Sequence, residues 1–268
     1  MKIIIGKYNE AKIFATTVEN SCLDQIKALC DEAWTEGSKI RIMADCHAGK
    51  GCTVGTTMTI TDKIVPNLVG VDIGCGVLTT MFRALNMDLS KLDRVIKNRI
   101  PMGMNIHDLP VGDVTSELNN LGSFKPYADF KKINRALGSL GSGNHFISIE
   151  KTADDIFYLL IHTGSRNFGK VLCEFYQDSA KEYHKSIKGK SKQEVVEELK
   201  AQGRFSEIAK MLQNMSQVKS EGLLYLEGKL FDSYLNDMKI AQSFARQNRK
   251  LIADIIQKEM GFSVIDQF

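Results

Sequence analysis

Two residues of a glycine-rich segment, Asp45 and His47, could bind a metal ion. They lie two positions apart at the end of an expected strand, so both side chains point to the same side. This spacing suits a metal site, or a carboxylate that orients an imidazole ring. The alternative is an ordinary polar turn in which Asp45 accepts hydrogen bonds.

A second glycine-rich segment, residues 71–76, places Asp72 and Cys75 on either side of Gly74. A thiolate is a strong ligand for transition metals, and a carboxylate three residues away can complete or bridge the site. A buried free cysteine is the simpler alternative, because such cysteines are common in protein cores.

A third region combines a Gly/Ser run at 138–143 with His145, His162 and Arg166. The run can turn several backbone N–H groups toward an anion. The two histidines are expected on consecutive strands, where they can meet across the pair. Arg166 is suited to gripping a phosphate with two hydrogen bonds. Together these segments predict metal-assisted phosphoryl chemistry, although a zinc hydrolase would use the same residues.

The elements that must position these side chains are strands in the first part of the chain and helices in the last part. All four prolines lie in the first half, and glycine becomes sparse after residue 170. We therefore predict a mixed α/β fold, with a strand- and turn-rich part at 1–169 and a helical region at 170–260. The segment 67–82 is predicted as strand, turn and strand. The expected tail helix has one apolar stripe before a stop at Gly261, formed by Leu235, Met238, Ala241, Phe244, Ala245, Leu251, Ile252, Ile255 and Ile256.

The composition of the 268 residues, 43% apolar and 25% charged, is typical of a globular protein and excludes disordered and collagen-like chains. No apolar run approaches the length of a membrane span or a signal-peptide core, so we expect no membrane partner. The six cysteines are scattered without a CxxC pair, which indicates reduced thiols and a cytoplasmic location. The net charge of +3 neither requires nor excludes a nucleic-acid partner.

Four segments, in this order, resemble the RtcB family of RNA ligases: MADCHAGKGCTVG, VGVDIGCGV, LGSLGSGNHF and IHTGSR. The helical segment MKIAQSFARQNRKLI is similar to the same family, so the resemblance runs from about residue 37 to the end. It implies an RtcB-like domain over 1–268, folded as a single compact domain with a central active-site cleft. The implied enzyme is a GTP- and manganese-dependent RNA ligase. It would join 2′,3′-cyclic phosphate or 3′-phosphate ends to 5′-hydroxyl ends, in tRNA splicing or RNA repair.

The resemblance also implies roles for the metal-type residues. Cys75 would bridge two Mn²⁺ ions, with Asp72 and His162 on one ion and His145 on the other. Ligand softness alone would favour zinc at such a site, so we expect Zn²⁺ to compete. Arg166 would hold a phosphate.

A guanylate site is implied at Asn144, His145, Phe146 and Ser148. Family members carry a glutamate at the position of Ser148, and a hydroxyl cannot replace a carboxylate that faces two donors, so guanine selectivity is open. Asp45 would orient the histidine that becomes guanylylated in the family.

No histidine follows His184 in this sequence, although the family has a further metal-binding histidine and the guanylylated histidine later in the chain. We therefore expect the domain to be incomplete at its C-terminus. The implied partners are RNA, as tRNA halves or broken ends, GTP and an archease-like activator. Two alternatives stay open: a ligase-dead protein that binds RNA ends, and a metal-dependent phosphohydrolase.

Overall fold

A computed structural model describes residues 2–49, 51–84, 87–189, 192–214 and 223–268. Lys50, in the first glycine-rich segment, lies outside these ranges. The strands are β1 (Lys2–Ile5), β2 (Glu10–Ile13), β3 (Ile40–Ala48), β4 (Thr53–Met58), β5 (Lys63–Ile64), β6 (Gly76–Arg83), β7 (Phe146–Lys151), β8 (Ile156–Thr163), β9 (Leu226–Glu227) and β10 (Ser263–Gln267). The helices are α1 (Asn20–Cys30), α2 (Pro66–Val69), α3 (Leu89–Arg99), α4 (Thr115–Leu118), α5 (Phe130–Ala136), α6 (Arg166–Gly189), α7 (Lys192–Ala201), α8 (Ile208–Asn214) and α9 (Gly228–Met260).

The mixed α/β class predicted from the sequence is confirmed, and so is the helical region in the last third of the chain. The predicted boundary between residues 169 and 170 stays a prediction. Among the described helices, none combines the length and the apolar character that crossing a membrane requires.

The chain divides into two compact units. The first unit comprises residues 1–70 and 173–232. Its main sheet has the order β1-β2-β3-β4, in which β2 and β3 are parallel and the outer pairs are antiparallel. Helix α1 packs on this sheet and buries Ile26 and Leu29 in an apolar core with Ile40 and Ile42.

The second unit comprises residues 71–172 and 233–268. Its sheet has the order β10-β6-β8-β7, and every neighbouring pair is antiparallel. Phe82, Leu159 and Ile161 on this sheet pack with Ile252 and Ile256 of α9 in one buried cluster. The strands β6, β8 and β7 position the candidate functional residues, because the metal-type side chains lie at or just beyond their ends.

Helix α9 follows the apolar stripe that the sequence predicts. Its buried face includes Ala241, Phe244, Ala245, Ile252 and Ile256, at the spacing of three and four residues that defines one helical face. The helix ends at Met260, and the next residue, Gly261, has a φ of 76°, the left-handed conformation that glycine adopts easily after a helix. The predicted stop at Gly261 is therefore confirmed.

The prediction of strand, turn and strand for residues 67–82 is wrong in its first part. Residues Pro66–Val69 form a short helix instead, and the strand β6 begins only at Gly76. The apolar residues at 67–71 match a strand by composition. However, Pro66 occupies the first turn of the helix, where its fixed φ and missing N–H are favourable.

Candidate metal centre

A tight turn just before β6 holds Asp72 and Cys75. The backbone N–H of Cys75 donates to the carbonyl of Asp72 at 3.1 Å, and Gly74 between them has a φ of 75°. Helix α9 approaches so closely that a Cβ on Gly74 would lie 2.9 Å from the Cα atom of Gln242. Glycine is therefore required at this position both for the backbone conformation and for the packing.

The sheet brings His162 to the same place. His162 on β8 lies opposite Val77 of β6 and opposite Phe146 of β7. The imidazole of His162 reaches the turn at the start of β6, where its Nε2 atom lies 3.1 Å from the Sγ atom of Cys75. The Nε2 atom of His145 lies 3.7 Å from the same sulfur. The predicted meeting of the two histidines is confirmed, since their ring centroids are 5.6 Å apart.

Asp72, Cys75 and His145 form a triad of candidate metal ligands. One donor atom from each lies within 4.8 Å of the donor atoms of the other two. The carboxylate Oδ2 of Asp72 and the Nε2 of His145 lie 2.8 Å apart. An oxygen, a sulfur and an imidazole nitrogen at this separation are a donor set suited to a transition metal.

The orientation of the His145 ring fits metal binding. Its Nδ1 atom lies 2.9 Å from the carbonyl oxygen of Leu140, so Nδ1 is the nitrogen that donates. Its Nε2 atom faces the carboxylate of Asp72, with which it shares a proton in the absence of a metal ion, and a bound ion would take the place of that proton. A carbonyl on the other ring nitrogen is the usual partner of a metal-binding histidine. The side chain of His145 is only 6% exposed, which holds the ring in this orientation.

The electrostatic environment shifts the pKa values of Asp72 and Cys75 in opposite directions. Burial alone would raise the pKa of Asp72, but hydrogen bonds from His145 and Cys75 lower it below its usual value, so Asp72 is a carboxylate. Burial, together with the charge of Asp72, raises the pKa of Cys75 to about 12. Without a cation, the sulfur is therefore a thiol at neutral pH, and a bound metal would displace its proton.

Asn248 and Arg249, two buried residues of α9 outside the predicted site residues, connect the segments that form the site. The amide of Asn248 accepts from the N–H of Gly138 at 2.7 Å and donates to the carbonyl of Ser139 at 3.0 Å. The guanidinium of Arg249 donates to the carbonyls of Gly74 and Thr163 at 2.8 and 2.6 Å. Asn248 therefore fixes the Gly/Ser run, and Arg249 joins the Asp72–Cys75 turn to the end of β8.

Arg166 begins α6 beside the Gly/Ser run. It has a φ of 58°, which is uncommon for a residue with a side chain. Its guanidinium donates from Nη2 to the carbonyl of Gly103 at 3.0 Å and from Nε to the hydroxyl of Ser139 at 3.2 Å. A side chain on Gly141 would collide with this guanidinium, so the run contains glycine where Arg166 needs space.

Part of the Gly/Ser run is already hydrogen-bonded within the protein. The N–H groups of Gly138, Ser139 and Leu140 donate to Asn248 Oδ1, to the carbonyl of Ala136 and to the carbonyl of Pro101. The predicted anion-binding role is therefore wrong for these three N–H groups. It stays a prediction for residues 141–143.

A cavity of about 550 Å³ opens beside the triad. Asp72, His145 and Arg166 form one part of its wall. Its other parts come from residues 103–106 and 124–129, from α5 and from the start of α6. A substrate in this cavity could contact the guanidinium and the metal ligands at once.

The other predicted site residues lie near the triad or in the first unit. The ring of Phe146 packs edge-on against His162 at 5.3 Å between centroids, and Asn144 is exposed in the turn before β7. Ser148 on β7 lies opposite Leu160. Asp45 is fully exposed on β3 of the first unit, 3.9 Å from His47. The guanylate-site roles and the role of Asp45 stay predictions.

Together, the fold and the triad define a mixed α/β protein with a candidate transition-metal centre at the end of an antiparallel sheet. A family model described as "tRNA-splicing ligase RtcB" matches residues 33–124 and 115–266. The chain belongs to the RtcB family, as its sequence motifs predicted.

Named relatives agree with this assignment. The chain is 31% identical over 232 residues to the RNA-splicing ligase RtcB of Escherichia coli (strain K12), covering 78% of this chain and 50% of the relative. It is 28% identical over 200 residues to the tRNA-splicing ligase RtcB of Methanococcus maripaludis, covering 53% of this chain and 41% of the relative. The chain therefore spans about half the length of these curated relatives.

Proposed function

We propose that the chain provides the metal- and phosphate-binding part of an RNA ligase that joins 2′,3′-cyclic phosphate or 3′-phosphate ends to 5′-hydroxyl ends. GTP and Mn²⁺ are the proposed cofactors. The observation that supports this proposal most directly is the close grouping of Asp72, Cys75 and His145 beside Arg166. Such a grouping suits reactions in which negative charge develops on phosphate oxygens.

Asp72, Cys75, His145 and His162 would hold the metal ions, with Cys75 between them. When bound, the ions would neutralise phosphate charge and polarise a phosphoryl oxygen. Asp72 is already ionised, and the Nε2 atom of His145 is directed at it, so both side chains present a donor atom to the same point. Cys75 must lose its proton first, and metal binding should therefore release a proton to solvent. Zn²⁺ should compete with Mn²⁺ for this thiolate-containing site.

Arg166 would orient the RNA phosphate. Two of its donors are held by Gly103 and Ser139, which fixes the plane of the guanidinium next to the cavity. A fixed cation supplies direction as well as charge, and in-line displacement at phosphorus depends on direction.

The guanylate would be bound by Asn144, His145, Phe146 and Ser148, and Asp45 would orient the histidine that becomes guanylylated. The proposed partners are tRNA halves or broken RNA ends and an archease-like activator. We propose a cytoplasmic location because all six cysteines, each within the described ranges, are unpaired.

The first test measures metal binding by this chain. Co²⁺ is titrated in as a spectroscopic probe, and thiolate-to-cobalt charge-transfer absorption reports coordination by Cys75. Cys75→Ala should abolish that absorption and lower the affinity for Mn²⁺. Cys52→Ala, a change in the first unit, is the matched control and should bind as the parent does. Unchanged metal stoichiometry in Cys75→Ala would overturn the assignment.

The second test follows an end-labelled RNA with a 3′-phosphate, a second RNA with a 5′-hydroxyl, GTP and Mn²⁺. Joined product from the full gene product supports the ligase. Binding without joining favours the protein that only binds RNA ends. Release of inorganic phosphate, or opening of a cyclic phosphate without GTP, favours the phosphohydrolase.

A further inference from the structure

We propose that the cavity beside the triad receives the terminal nucleotide of the RNA strand that carries the reacting phosphate. This inference rests on the proposed function and assigns a binding subsite within it. The phosphate would lie at Arg166 and the triad, and the base would lie against Tyr127. The cavity volume, about 550 Å³, is within the usual range for a small-molecule site and exceeds what a phosphate alone would need.

The apolar part of the lining has the properties of a stacking surface. Tyr127 is 68% exposed and Met104 is 90% exposed, although both are large and apolar. Ile106, Ile133 and buried Phe124 line the cavity with them. An aromatic ring with an accessible face binds any nucleobase by stacking, which is how proteins commonly bind single-stranded nucleic acid.

The charges of the cavity suit a polyanion. Lys132 and Lys170 are exposed on its lining, in addition to Arg166. The lining also contains two carboxylates: Asp72 belongs to the triad, and Asp129 accepts the N–H of Lys132 at the start of α5. The lysines could contact the phosphates that precede the terminal nucleotide, because an RNA strand has a charge at every residue.

The polar groups of the cavity favour RNA over a guanosine nucleotide. Besides the hydroxyl of Tyr127 and the imidazole of His145, the uncharged polar side chains of the lining come from Ser142 and Asn167, both of them exposed. Selective binding of guanine requires donors and acceptors placed against the base edge. Of the four residues that we propose for the guanylate, His145 lines the cavity, whereas Asn144, Phe146 and Ser148 are not among the lining residues. Stacking without edge contacts accepts every base, as an end-joining enzyme needs.

A double-mutant cycle between Tyr127 and the terminal base tests the inference. The affinity of this chain, with Mn²⁺ present, is measured by fluorescence anisotropy for a short RNA with a 3′-phosphate. A second RNA is identical but lacks the base of its terminal nucleotide. Removing the base should weaken binding to the parent by at least about fivefold. Tyr127→Ala should bind the intact RNA at least about fivefold more weakly and should no longer distinguish the two RNAs.

Two further variants separate stacking from folding. Tyr127→Phe keeps the aromatic ring and should bind as the parent does. Phe205→Ala removes an aromatic side chain that is similarly exposed, at 63%, in the first unit and outside the cavity lining. Phe205→Ala should leave both affinities unchanged.

A further pair of variants tests the charge of the cavity. Lys170→Glu should weaken binding of both RNAs, whereas Lys185→Glu in the first unit should have little effect.

The outcomes distinguish this inference from the proposed function. If the parent does not prefer a 3′-phosphate over a 3′-hydroxyl, the proposed function fails and the inference fails with it. If the parent has this preference but Tyr127→Ala still distinguishes the intact RNA from the RNA without its base, only the inference is overturned. A loss of guanosine 5′-monophosphate binding in Tyr127→Ala, with RNA binding unchanged, would assign the cavity to the guanylate and also overturn it.

Discussion

The guanidinium of Arg249 lies 2.6 Å from the carbonyl oxygen of Thr163, inside the second unit. The same nitrogen also donates to the carbonyl of Gly74 at 2.8 Å. One side chain thus joins the turn that contains Asp72 and Cys75 to the end of the strand that contains His162. The geometry of the candidate metal centre depends on a residue that is not itself a proposed ligand.

Replacing Arg249 with methionine should lower both the stability and the metal affinity. The buried carbonyl of Thr163 and the partly buried carbonyl of Gly74 lose a charged donor, which should reduce the free energy of unfolding by about 2–4 kcal/mol. The metal affinity should fall as well, because the Asp72–Cys75 turn is no longer tied to β8. Urea titration measures the first effect and Co²⁺ titration the second. Arg246→Met, an exposed change on the same helix, is the control. Parental metal affinity in folded Arg249→Met would contradict the positioning role.

The sequence predicted the residues that form the candidate centre more fully than it predicted the residues that hold them in position. Asp72, Cys75 and His145 lie in short segments where glycine determines the local backbone, so a motif alone indicates a site. Asn248 and Arg249 were not assigned, because their partners are carbonyls and amides more than 80 positions away in the chain. A signal was nevertheless present, since the two residues interrupt the apolar stripe of α9 at positions that the helical spacing predicts to be buried.

The strand assignments show the same limit of local reasoning. Residues 67–71 are apolar enough for a strand, but the helix at Pro66–Val69 follows from one proline and from packing that composition does not reveal. The pairing of β8 with β6 on one side and with β7 on the other decides that His162 faces Cys75. Alternation within a strand predicts which face is buried. It does not predict which strand is the neighbour or in what register it pairs.

Gly164→Ala should weaken metal binding without changing a ligand. A Cβ at this position would collide with the carboxylate of Asp72, so the carboxylate must move away from His145. We expect a loss of at least about tenfold in Co²⁺ affinity, which corresponds to about 1.4 kcal/mol. Ser142→Ala, an exposed change in the cavity lining, is the comparison. If Gly164→Ala bound Co²⁺ as tightly as the parent, Asp72 would not be a ligand in the proposed geometry.

The thiol of Cys75 should react slowly with iodoacetamide in the metal-free protein, although the residue is exposed. Burial of the sulfur and the charge of Asp72 raise its pKa to about 12, so the thiolate fraction at pH 7 is very small. The rate should rise about tenfold per pH unit up to that pKa, because only the thiolate reacts. Asp72→Asn removes the negative charge, lowers the pKa and should accelerate alkylation at pH 9.

Mass spectrometry of peptides measures this reaction separately at each cysteine. Cys52 is the internal control, since burial alone raises its pKa to about 11 and its rate should not change in Asp72→Asn. Metal ions should protect Cys75 and leave Cys52 unaffected. Rapid alkylation of Cys75 at pH 7 would mean that the thiol is already ionised and that the described environment is incorrect.

Arg166→Lys should preserve metal binding and weaken the recognition of an RNA phosphate. The guanidinium contacts Gly103 and Ser139 with two of its nitrogens and keeps further N–H groups for a phosphate. A lysine retains the positive charge but concentrates it at one atom, so it cannot make these contacts and also orient a phosphate. The affinity for RNA with a 3′-phosphate should fall at least about tenfold, or about 1.4 kcal/mol.

The affinity for the same RNA with a 3′-hydroxyl is the control for Arg166→Lys. This affinity should change little, because the lost interaction is with the terminal phosphate, and the preference of the chain for a phosphate end should therefore shrink. Co²⁺ titration of the same protein should give the parental affinity, since Arg166 contacts none of the proposed ligands by a described hydrogen bond. If Arg166→Lys kept the full preference for a 3′-phosphate, the guanidinium would only support the loop at Gly103. The terminal phosphate would then have to be held by the bound metal ions and the lysines of the cavity.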